Sequence, residues 1–267
     1  MKAIHVKLNN KGDIKIIPFA DIHIGSTKCD LALLKKQIEK VQNDVNTYAV
    51  ILGDLINNST KTSVGDVFSQ PLNPMEQMKL AMELFEPIKH KILAVTTGNH
   101  ERRSYKNDGT DLGWFFANSL GIGDRYDYCA PLLFLQFGSC TCGAMKGNGI
   151  SRRNDSLIYS IYLTHGDGCG GRLVGGKANG LERRGYIVNA DLIIVGHTHQ
   201  PLTFKQSSFE LNYNTKNVHE KETTFVNCGS MLDYEEYAEL YGLRPSSKCQ
   251  PEIILCGKNK KEVRVII

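Results

Sequence analysis

The chain has 267 residues, of which 41% are hydrophobic and 22% are charged, a composition that excludes a disordered or collagen-like protein. Its formal net charge of +4 is too small to indicate a nucleic-acid or membrane partner by itself. No apolar run approaches the ~20 residues of a membrane span, and none near the N-terminus is typical of a signal peptide, so we expect a cytoplasmic protein without a membrane partner.

Seven apolar runs of strand length, rich in Ile, Val, Leu and Tyr, predict β-strands. They cover residues 14–19, 48–52, 92–95, 132–137, 157–163, 191–195 and 223–226. Between the first three runs, apolar residues recur at spacings of three and four and predict two helices. The first helix has apolar positions across 31–45 after the capping residue Asp30, and the second has them across 75–85 after Asn73 and Pro74.

Strand and helix alternate through the first ~120 residues, which predicts an α/β layer structure with parallel strands. The second half is mostly strand in character. Residues 138–149 are rich in glycine and small side chains and predict loops, whereas residues 252–267 predict a hairpin. The sequence shows neither a linker nor an internal repeat, so we expect a single domain spanning residues 1–267.

Five of the apolar runs are followed directly by residues that can bind a metal ion. These residues are Asp21 and His23, Asp54, Asn99 and His100, His165, and His197 and His199. Ligands bind beyond the carboxyl ends of strands in open α/β sheets, so we expect these side chains to converge. The Asp-x-His and His-x-His spacings place two side chains on the same side of a strand. Carboxylate, imidazole and one amide suit Mn, Fe, Zn or Ni rather than soft ions.

These motifs, in this order, resemble the calcineurin-like metallophosphoesterase superfamily. The pattern of that family is Asp-x-His, Gly-Asp, Gly-Asn-His-Asp/Glu, a lone His and Gly-His-x-His, and the match extends from Asp21 to His199. The resemblance implies an α/β fold in which two facing mixed β-sheets are flanked by helices, a four-layer sandwich.

The resemblance also implies a site with two divalent metal ions, for which Mn is the expected element and Fe, Zn or Ni are the alternatives. One ion would be held by Asp21, His23, Asp54 and His199, and the other by Asp54, Asn99, His165 and His197. Asp54 would then bridge the two ions, which activate a shared hydroxide for attack on the phosphorus. His100 would act as the general acid that protonates the leaving oxygen.

The sequence departs from known branches of the family just after Asp54. The protein-phosphatase branch continues to an Asp and an Arg that bind phosphate, whereas this chain has Asn57 and Asn58. The nuclease branch commonly has a His at the position of Asn57. Asn57 can still hydrogen-bond a phosphate oxygen, and Arg102 and Arg103, in a segment that resembles Gly-Asn-His-Glu-x-Arg of protein phosphatases, are further candidates for substrate binding.

Basic residues cluster in loops beside the metal motifs, at positions 102–106, 152–153 and 172–184. They form either a rim that attracts phosphates or a solvated, charge-balanced surface. The rim, together with the missing Asp-Arg element, favours a phosphodiesterase acting on DNA, RNA or a nucleotide. The alternative is a phosphomonoesterase acting on a small molecule or a protein, and a third hypothesis is a metal-dependent scaffold without activity. The sequence does not determine the oligomeric state.

Gly166, Gly168 and Gly171 fit the Gly-x-Gly-x-x-Gly pattern of dinucleotide-binding proteins, and Asp191 follows about 20 residues later. Glycines at 175, 176 and 180 are expected to interrupt the helix that such a site requires, and Asp191 begins a strand rather than ending one. We therefore interpret this segment as a flexible loop on the substrate side of the site.

Overall fold

The computed structural model describes residues 1–60, 63, 70–146, 149–167, 173–234, 238–239, 242–258 and 260–267, with the backbone alone for those of residues 140–155 that it includes. The described residues form twelve β-strands and five α-helices. The strands are β1 (Ala3–Lys7), β2 (Ile14–Phe19), β3 (Thr47–Leu52), β4 (Ile92–Thr96), β5 (Tyr126–Asp127), β6 (Leu132–Lys146), β7 (Gly149–Thr164), β8 (Leu192–Val195), β9 (Leu202–Asn212), β10 (Asn217–Asn227), β11 (Glu252–Leu255) and β12 (Val263–Ile266). The helices are α1 (Leu31–Asn43), α2 (Pro74–Phe85), α3 (Asn99–Asp108), α4 (Leu112–Ser119) and α5 (Val174–Glu182).

The strands are arranged in two mixed sheets of six strands each. One sheet has the order β12-β11-β2-β3-β4-β5, in which β2 to β5 are mutually parallel and β11 and β12 form an antiparallel hairpin on the edge of β2. The other has the order β1-β6-β7-β8-β10-β9, in which β7, β8 and β10 are parallel to one another. The carboxyl ends of β2, β3 and β4 therefore lie at the same end of the molecule as those of β7 and β8.

Side chains alternate between the two faces of each strand, so both faces of each sheet bury apolar residues. With the flanking helices this gives four layers and three hydrophobic clusters. Between the sheets, one set of strand residues, including Ile16, Val50 and Leu135, forms the central core. The opposite face of the first sheet packs against α1, α2 and α4 through a second cluster, and the outer face of the other sheet packs against α5 through a third. The fold predicted from the resemblance, two facing mixed sheets flanked by helices, is thus confirmed.

Both predicted helices of the first half begin at their predicted caps. The Asp30 carboxylate accepts the Leu33 amide at the start of α1. Asn73 and Glu76 form a reciprocal capping box at the start of α2, with Pro74 in the first turn. Helix α1 ends earlier than the apolar spacing suggested, at Asn43. The predicted C-terminal hairpin is also present, as β11 and β12.

Two expectations about glycine-rich segments are wrong. Residues 138–149 were expected to form loops, but β6 extends through Lys146 and β7 begins at Gly149. The two strands pair antiparallel, with a shift in register between Phe137 and Cys140. Residues 175–180 were expected to resist a helix, but α5 contains Gly175, Gly176 and Gly180. Packing explains the second case, because α5 buries Leu181 against the outer face of the sheet and tertiary burial outweighs a glycine penalty of about 1 kcal/mol per residue. The predicted loop at 168–171 lies outside the described residues.

None of the helices in the described part of the chain combines the length and apolar character needed to cross a membrane.

Candidate metal centre

The predicted metal-binding residues lie in the turns that follow five strands. Asp21 and His23 follow β2, and Asp54 follows β3. Asn99 opens α3 shortly after β4, His165 follows β7, and the segment containing His197 and His199 follows β8. The structure brings all seven side chains together at the carboxyl ends of the strands.

Five of these residues have a left-handed backbone, which is uncommon for residues other than glycine. The φ angles are 53° at Asp21, 55° at His23, 49° at Asp54, 71° at His197 and 56° at His199. Such conformations cost on the order of 1–3 kcal/mol each and persist only where surrounding contacts hold them. Strained turns therefore set the direction of these side chains. The Asp-x-His and His-x-His spacings were interpreted from the two-residue alternation of an extended strand, and that alternation does not direct them.

Asp21, His23 and His199 form the first ligand group. The Nε2 atom of His199 lies 3.2 Å from Asp21 Oδ1 and 3.4 Å from His23 Nε2. The other Asp21 oxygen, Oδ2, accepts the backbone N–H of His197 at 2.8 Å. One carboxylate oxygen thus holds the turn after β8, and the other faces the two imidazoles.

The second ligand group contains Asp54, Asn99, His165 and His197. The distance from His165 Nε2 is 3.2 Å to Asp54 Oδ2, 3.0 Å to Asn99 Oδ1 and 3.1 Å to His197 Nδ1. The His197 Nδ1 atom lies 2.8 Å from Asn99 Oδ1. The other nitrogen of His165, Nδ1, lies 2.8 Å from the Leu52 carbonyl, which as a pure acceptor makes Nδ1 a protonated atom and makes Nε2 the atom that can bind a metal ion once it has lost its own proton.

Asp54 lies between the two groups. Its Oδ1 accepts the backbone N–H of His100 at 2.9 Å, so this oxygen is occupied. Its Oδ2 lies 3.2 Å from His165 Nε2 and 3.9 Å from His23 Nε2, one atom from each group. A single carboxylate oxygen is therefore shared by both groups, which is the geometry of a bridging ligand.

The spacing of the donor atoms suits ligands around a shared divalent cation better than hydrogen bonds between the donors. Two ligands about 2.1 Å from one ion and at right angles are about 3 Å apart, which matches the spacings in both groups. Asp21 Oδ1 is buried and has no hydrogen-bond partner among the described residues, and the same holds for His23 Nδ1. An unpaired carboxylate oxygen in a buried position costs free energy that a bound cation would offset. The oxygen and imidazole donors suit the borderline and hard ions expected from the sequence.

Burial lowers the pKa values of two of the four ligand imidazoles, whereas neighbouring carboxylates outweigh burial at the other two. Burial, with the neighbouring charge of His100, lowers the pKa of His23 well below its usual value. Burial lowers the pKa of His197 as well.

At His199 burial acts to lower the pKa, but the Asp21 carboxylate outweighs it and raises the pKa. At His165 burial acts in the same direction, but the Asp54 carboxylate outweighs it and raises the pKa to about 9. A metal ion competes with that proton for Nε2, because metal ligands must be deprotonated.

Glu101, which is not among the predicted site residues, organises the turn after β3. This fully buried carboxylate accepts four backbone N–H groups. Oε2 accepts those of Asp54 and Gly98 at 2.9 and 2.8 Å, and Oε1 accepts those of Leu55 and Ile56 at 2.8 and 3.2 Å. Burial, and then the charge of Asp54, raise its pKa. A Glu at the third position of a helix is a capping-box signal and could have indicated this contact.

The candidate acid His100 lies beside Asp54, with 3.7 Å between His100 Nε2 and Asp54 Oδ2. Its Nδ1 donates to the Asn57 carbonyl at 2.5 Å, and an Arg103 N–H lies 2.9 Å from its Nε2. Burial lowers the pKa of His100. Arg103 also donates to the Asn57 carbonyl at 3.2 Å, so this backbone oxygen holds both side chains.

Two of the three expected substrate-binding residues are engaged elsewhere. The Asn57 amide nitrogen donates to Ser59 Oγ and Gln70 Oε1. The guanidinium of Arg102 donates to both oxygens of Thr97 and to the Tyr128 carbonyl, and it stacks on the Tyr128 ring. These contacts hold Arg102 in the turn after β4, and its role in substrate binding stays a prediction. The Arg103 side chain lies beside the candidate acid.

Besides Arg102 and Arg103, two members of the expected basic rim have described contacts beside the metal motifs. Lys177 Nζ donates to the carbonyl of Thr198, between the two histidines that follow β8. Arg184 pairs with Asp167, two residues after His165. The side chains at 152, 153 and 172 lie outside the described part. The rim is thus partly built from residues that already have protein partners.

The end of β10 and the segment after it hold the turns that carry the ligands. The Asn227 amide donates to Thr198 Oγ1 and to the Gln200 carbonyl, both at 2.6 Å. Gln250 donates to the carbonyl of Ala20, next to the first ligand, at 2.7 Å. Ser246 donates to the carbonyl of His199. No metal-ligand pattern marks these residues, because they act on backbone groups.

Comparisons with known proteins agree with the geometry. A family model described as calcineurin-like phosphoesterase matches residues 14–201. No curated protein matches the chain in sequence.

Among solved structures, the chain is similar to a conserved protein of Streptococcus pneumoniae TIGR4 described as a predicted phosphoesterase, with 13% identity, a TM-score of 0.39, and coverage of 96% of this chain and 91% of that one. It is also similar to Vacuolar Protein Sorting 29 from Cryptosporidium parvum, with 14% identity, a TM-score of 0.47, and coverage of 96% and 98%. A third similar structure is wild-type Vacuolar Protein Sorting 29 from Entamoeba histolytica complexed with Zn²⁺, with 10% identity, a TM-score of 0.37, and coverage of 95% and 98%.

Proposed function

The chain belongs to the calcineurin-like phosphoesterase family, and from that premise we propose that it is a dinuclear metal-dependent hydrolase of phosphodiester bonds in nucleic acid or nucleotides. The observation that carries the proposal is the position of Asp54 Oδ2 between two groups of ligand atoms, 3.2 Å from His165 Nε2 and 3.9 Å from His23 Nε2. Mn²⁺ is the ion we expect at both positions, with Fe, Zn or Ni as alternatives. When bound, two such ions lower the pKa of a shared water and neutralise phosphate oxygens.

We assign proton donation and phosphate binding to two residues of the chain. His100 protonates the leaving oxygen, and its Nδ1–H bond to the Asn57 carbonyl aims Nε2 toward the site. Arg103, which lies 2.9 Å from that Nε2, binds a phosphate oxygen. A bound phosphate draws Arg103 away from the imidazole and adds negative charge beside it, and both effects favour the protonated form that a general acid needs.

Turnover of simple substrates tests whether the protein is an enzyme. Purified protein with Mn²⁺ is expected to hydrolyse bis-p-nitrophenyl phosphate, and a chelator is expected to abolish the reaction. Protein that binds Mn²⁺ yet turns over neither this diester nor p-nitrophenyl phosphate would be a metal-dependent scaffold, and the enzymatic proposal would be wrong.

Two substitutions separate metal binding from proton transfer. Asp54→Asn is expected to lose bound metal and activity together, because it weakens both ligand groups. His100→Ala is expected to keep the metal and to lose activity by about 10²–10⁴-fold, the range for removal of a general acid. His90→Ala, at an exposed histidine outside the site, is the matched control and keeps both. Full activity in His100→Ala, or loss of metal from it, would contradict the assigned role.

Phosphomonoester hydrolysis is the second candidate, and the position of Arg103 favours it. A guanidinium beside the acid suits the terminal phosphate dianion of a monoester better than the single charge of a diester. A panel of single- and double-stranded DNA, RNA, cyclic nucleotides and phosphopeptides with Mn²⁺ discriminates the two. Much faster cleavage of the monoesters would overturn the diester preference while retaining the metal site.

A further inference from the structure

The peptide group between Asn57 and Asn58 is held at both of its ends. Its carbonyl oxygen accepts the Nδ1–H of His100 at 2.5 Å and an Arg103 N–H at 3.2 Å. Its N–H donates to the side-chain oxygen Oε1 of Gln77 at 2.9 Å. Because a peptide group is planar and this one is trans, its C=O and N–H point in opposite directions. A side chain that fixes the N–H therefore also fixes the direction of the carbonyl that holds the candidate acid.

The backbone at this peptide group needs such support. Asn58 has a φ of 39°, in the left-handed region that residues other than glycine rarely adopt. Such a conformation persists only where surrounding contacts hold it. The Asn58 side chain supplies two of these contacts, because its amide nitrogen donates to the His100 carbonyl at 2.7 Å and to Ser104 Oγ at 3.0 Å. Gln77 supplies the contact at the N–H itself.

Gln77 is a fully buried amide on a helix face that is otherwise apolar. The other buried residues of its helix, α2, are Met78, Ala81 and Phe85. Gln77 Nε2 donates to the Leu72 carbonyl at 2.8 Å and to Gln70 Oε1 at 2.9 Å, so the donor and the acceptor of this amide both have partners. These partners fix which way the amide is turned, since the Leu72 carbonyl can only accept and the Asn58 N–H can only donate.

Gln70 extends the support to the next residue of the turn. Its Oε1 also accepts the Ser59 N–H at 2.9 Å, and its Nε2 donates to the Ser59 carbonyl at 3.0 Å. Gly25, two residues after His23, lies against the Gln77 amide, and a Cβ at Gly25 would collide with that amide. The turn that carries the partner of the acid is thus attached to α2 through two glutamine amides.

We propose that Gln77 is a positioning residue for the general acid, and that it orients the His100 imidazole through the peptide group between Asn57 and Asn58. This role rests on the proposed phosphoesterase activity, in which His100 protonates the leaving oxygen. Gln77 supplies no ligand atom and acts through His100. A reacting group misplaced by about 1 Å can cost roughly 10²-fold in rate, so a residue outside the site can matter this much.

Two substitutions separate the acceptor of Gln77 from its contribution to folding. Gln77→Met keeps the length of the side chain but removes the acceptor, and we expect kcat with a dinucleotide to fall about 10²-fold. Gln77→Glu keeps an oxygen for the Asn58 N–H, and we expect it to lose less than about tenfold. A merely structural role predicts the opposite order, because a buried carboxyl group destabilises a core more than methionine does. Gln42→Met makes the same change at an exposed position of α1 and is the matched control.

The leaving group distinguishes a misplaced acid from a generally damaged protein. The oxygen of a nucleoside leaving group must be protonated, whereas p-nitrophenolate is weakly basic and leaves without a proton. At equal Mn²⁺ content, we therefore expect the loss in Gln77→Met to be at least tenfold greater with the dinucleotide than with bis-p-nitrophenyl phosphate.

A second measurement does not depend on activity. In the full chain labelled with ¹⁵N-histidine, without the Mn²⁺ that would broaden the signal, the bonded Nδ1–H of His100 is expected to give a slowly exchanging downfield proton resonance. Its absence in His100→Ala identifies it. We expect this resonance in the wild type and in Gln77→Glu, and we expect Gln77→Met to lose it. A wild type with the resonance but without turnover would overturn the proposed function and leave the orientation by Gln77 intact.

Four outcomes would contradict the role of Gln77. Gln77→Met could keep both the resonance and the wild-type kcat, its loss could be equal for the two leaving groups, or Gln77→Glu could lose as much as Gln77→Met. Loss of bound Mn²⁺ from Gln77→Met would place its effect on the ligand turns instead. Gln77→Leu is a second disrupting variant of similar size, and circular dichroism checks that every variant is folded.

Discussion

Substitution of Glu101 by Gln tests whether a buried carboxylate outside the ligand set maintains the metal centre. In the wild type its two oxygens accept four backbone N–H groups, of which one belongs to Asp54. A glutamine keeps the shape, but one oxygen becomes an NH₂ group. Whichever way the amide turns, two backbone donors then face a donor instead of an acceptor.

The cost follows from those two lost contacts. A buried donor left without its acceptor costs about 1–3 kcal/mol, so we expect Glu101→Gln to lower the free energy of unfolding by about 3 kcal/mol. For a chain of this size that corresponds to a fall in melting temperature of about 6–12 °C. The turn also loses what holds Asp54 at its φ of 49°. We therefore expect Mn²⁺ affinity to fall at least tenfold, although Glu101 supplies no ligand atom itself.

Urea denaturation measures the stability, and isothermal titration calorimetry with Mn²⁺ measures the affinity. Glu83→Gln makes the same chemical change at an exposed position of α2 and should leave both unchanged. A Glu101→Gln protein within about 0.5 kcal/mol of the wild type and with full Mn²⁺ affinity would refute the reasoning. Loss of stability with unchanged affinity would show that Asp54 does not depend on these hydrogen bonds.

Three further predictions concern residues that act on backbone groups. Asn227→Ala, which frees the turn between the two histidines after β8, is expected to weaken Mn²⁺ binding about tenfold; equal titration curves would contradict this. Lys91→Met removes the buried ammonium that donates to carbonyls at the end of α1 and is expected to cost about 2–3 kcal/mol in urea denaturation, with metal binding unchanged. Asp30→Ala removes the cap of α1 at a cost of about 1 kcal/mol. Because hydrogen bonds from Lys248 and Leu33 lower the pKa of Asp30, its contribution is present above the unfolded pKa and is lost as the pH falls through the folded value; a difference between wild type and Asp30→Ala that does not shrink in acid would be inconsistent with that cause.

Local patterns in the sequence were sufficient for most of the first half of the fold. The runs at 14–19 and 48–52 became β2 and β3 with ends matching to within one residue. Asp30 and Asn73 cap the helices they were expected to cap. These features depend on neighbours a few positions away, so periodicity and capping chemistry report them directly.

The glycine-rich segments show where local patterns fail. A ladder with residues 149–155 carries β6 through residues 140–146, and α5 forms across three glycines because its buried side packs on the sheet. The residues of each segment do not indicate the strand with which β6 pairs or the sheet on which α5 packs. Strand pairing and burial at long sequence separation outweigh intrinsic preferences of about 1 kcal/mol.

The sequence by itself determined which side chains would meet, since acids, amides and imidazoles placed after successive strands must collect at one end of the sheets. Only the tertiary structure decided how they are aimed. Residues distant in the chain hold the left-handed turns of the ligand residues. Glu101 accepts the backbone N–H of Asp54, Gln250 donates to the carbonyl before Asp21, and Asn227 donates to groups just after His197. Sequence motifs identify the residues that contact a ligand. The strained backbone that orients those residues is stabilised by buried hydrogen bonds, and these form only when the whole chain is folded.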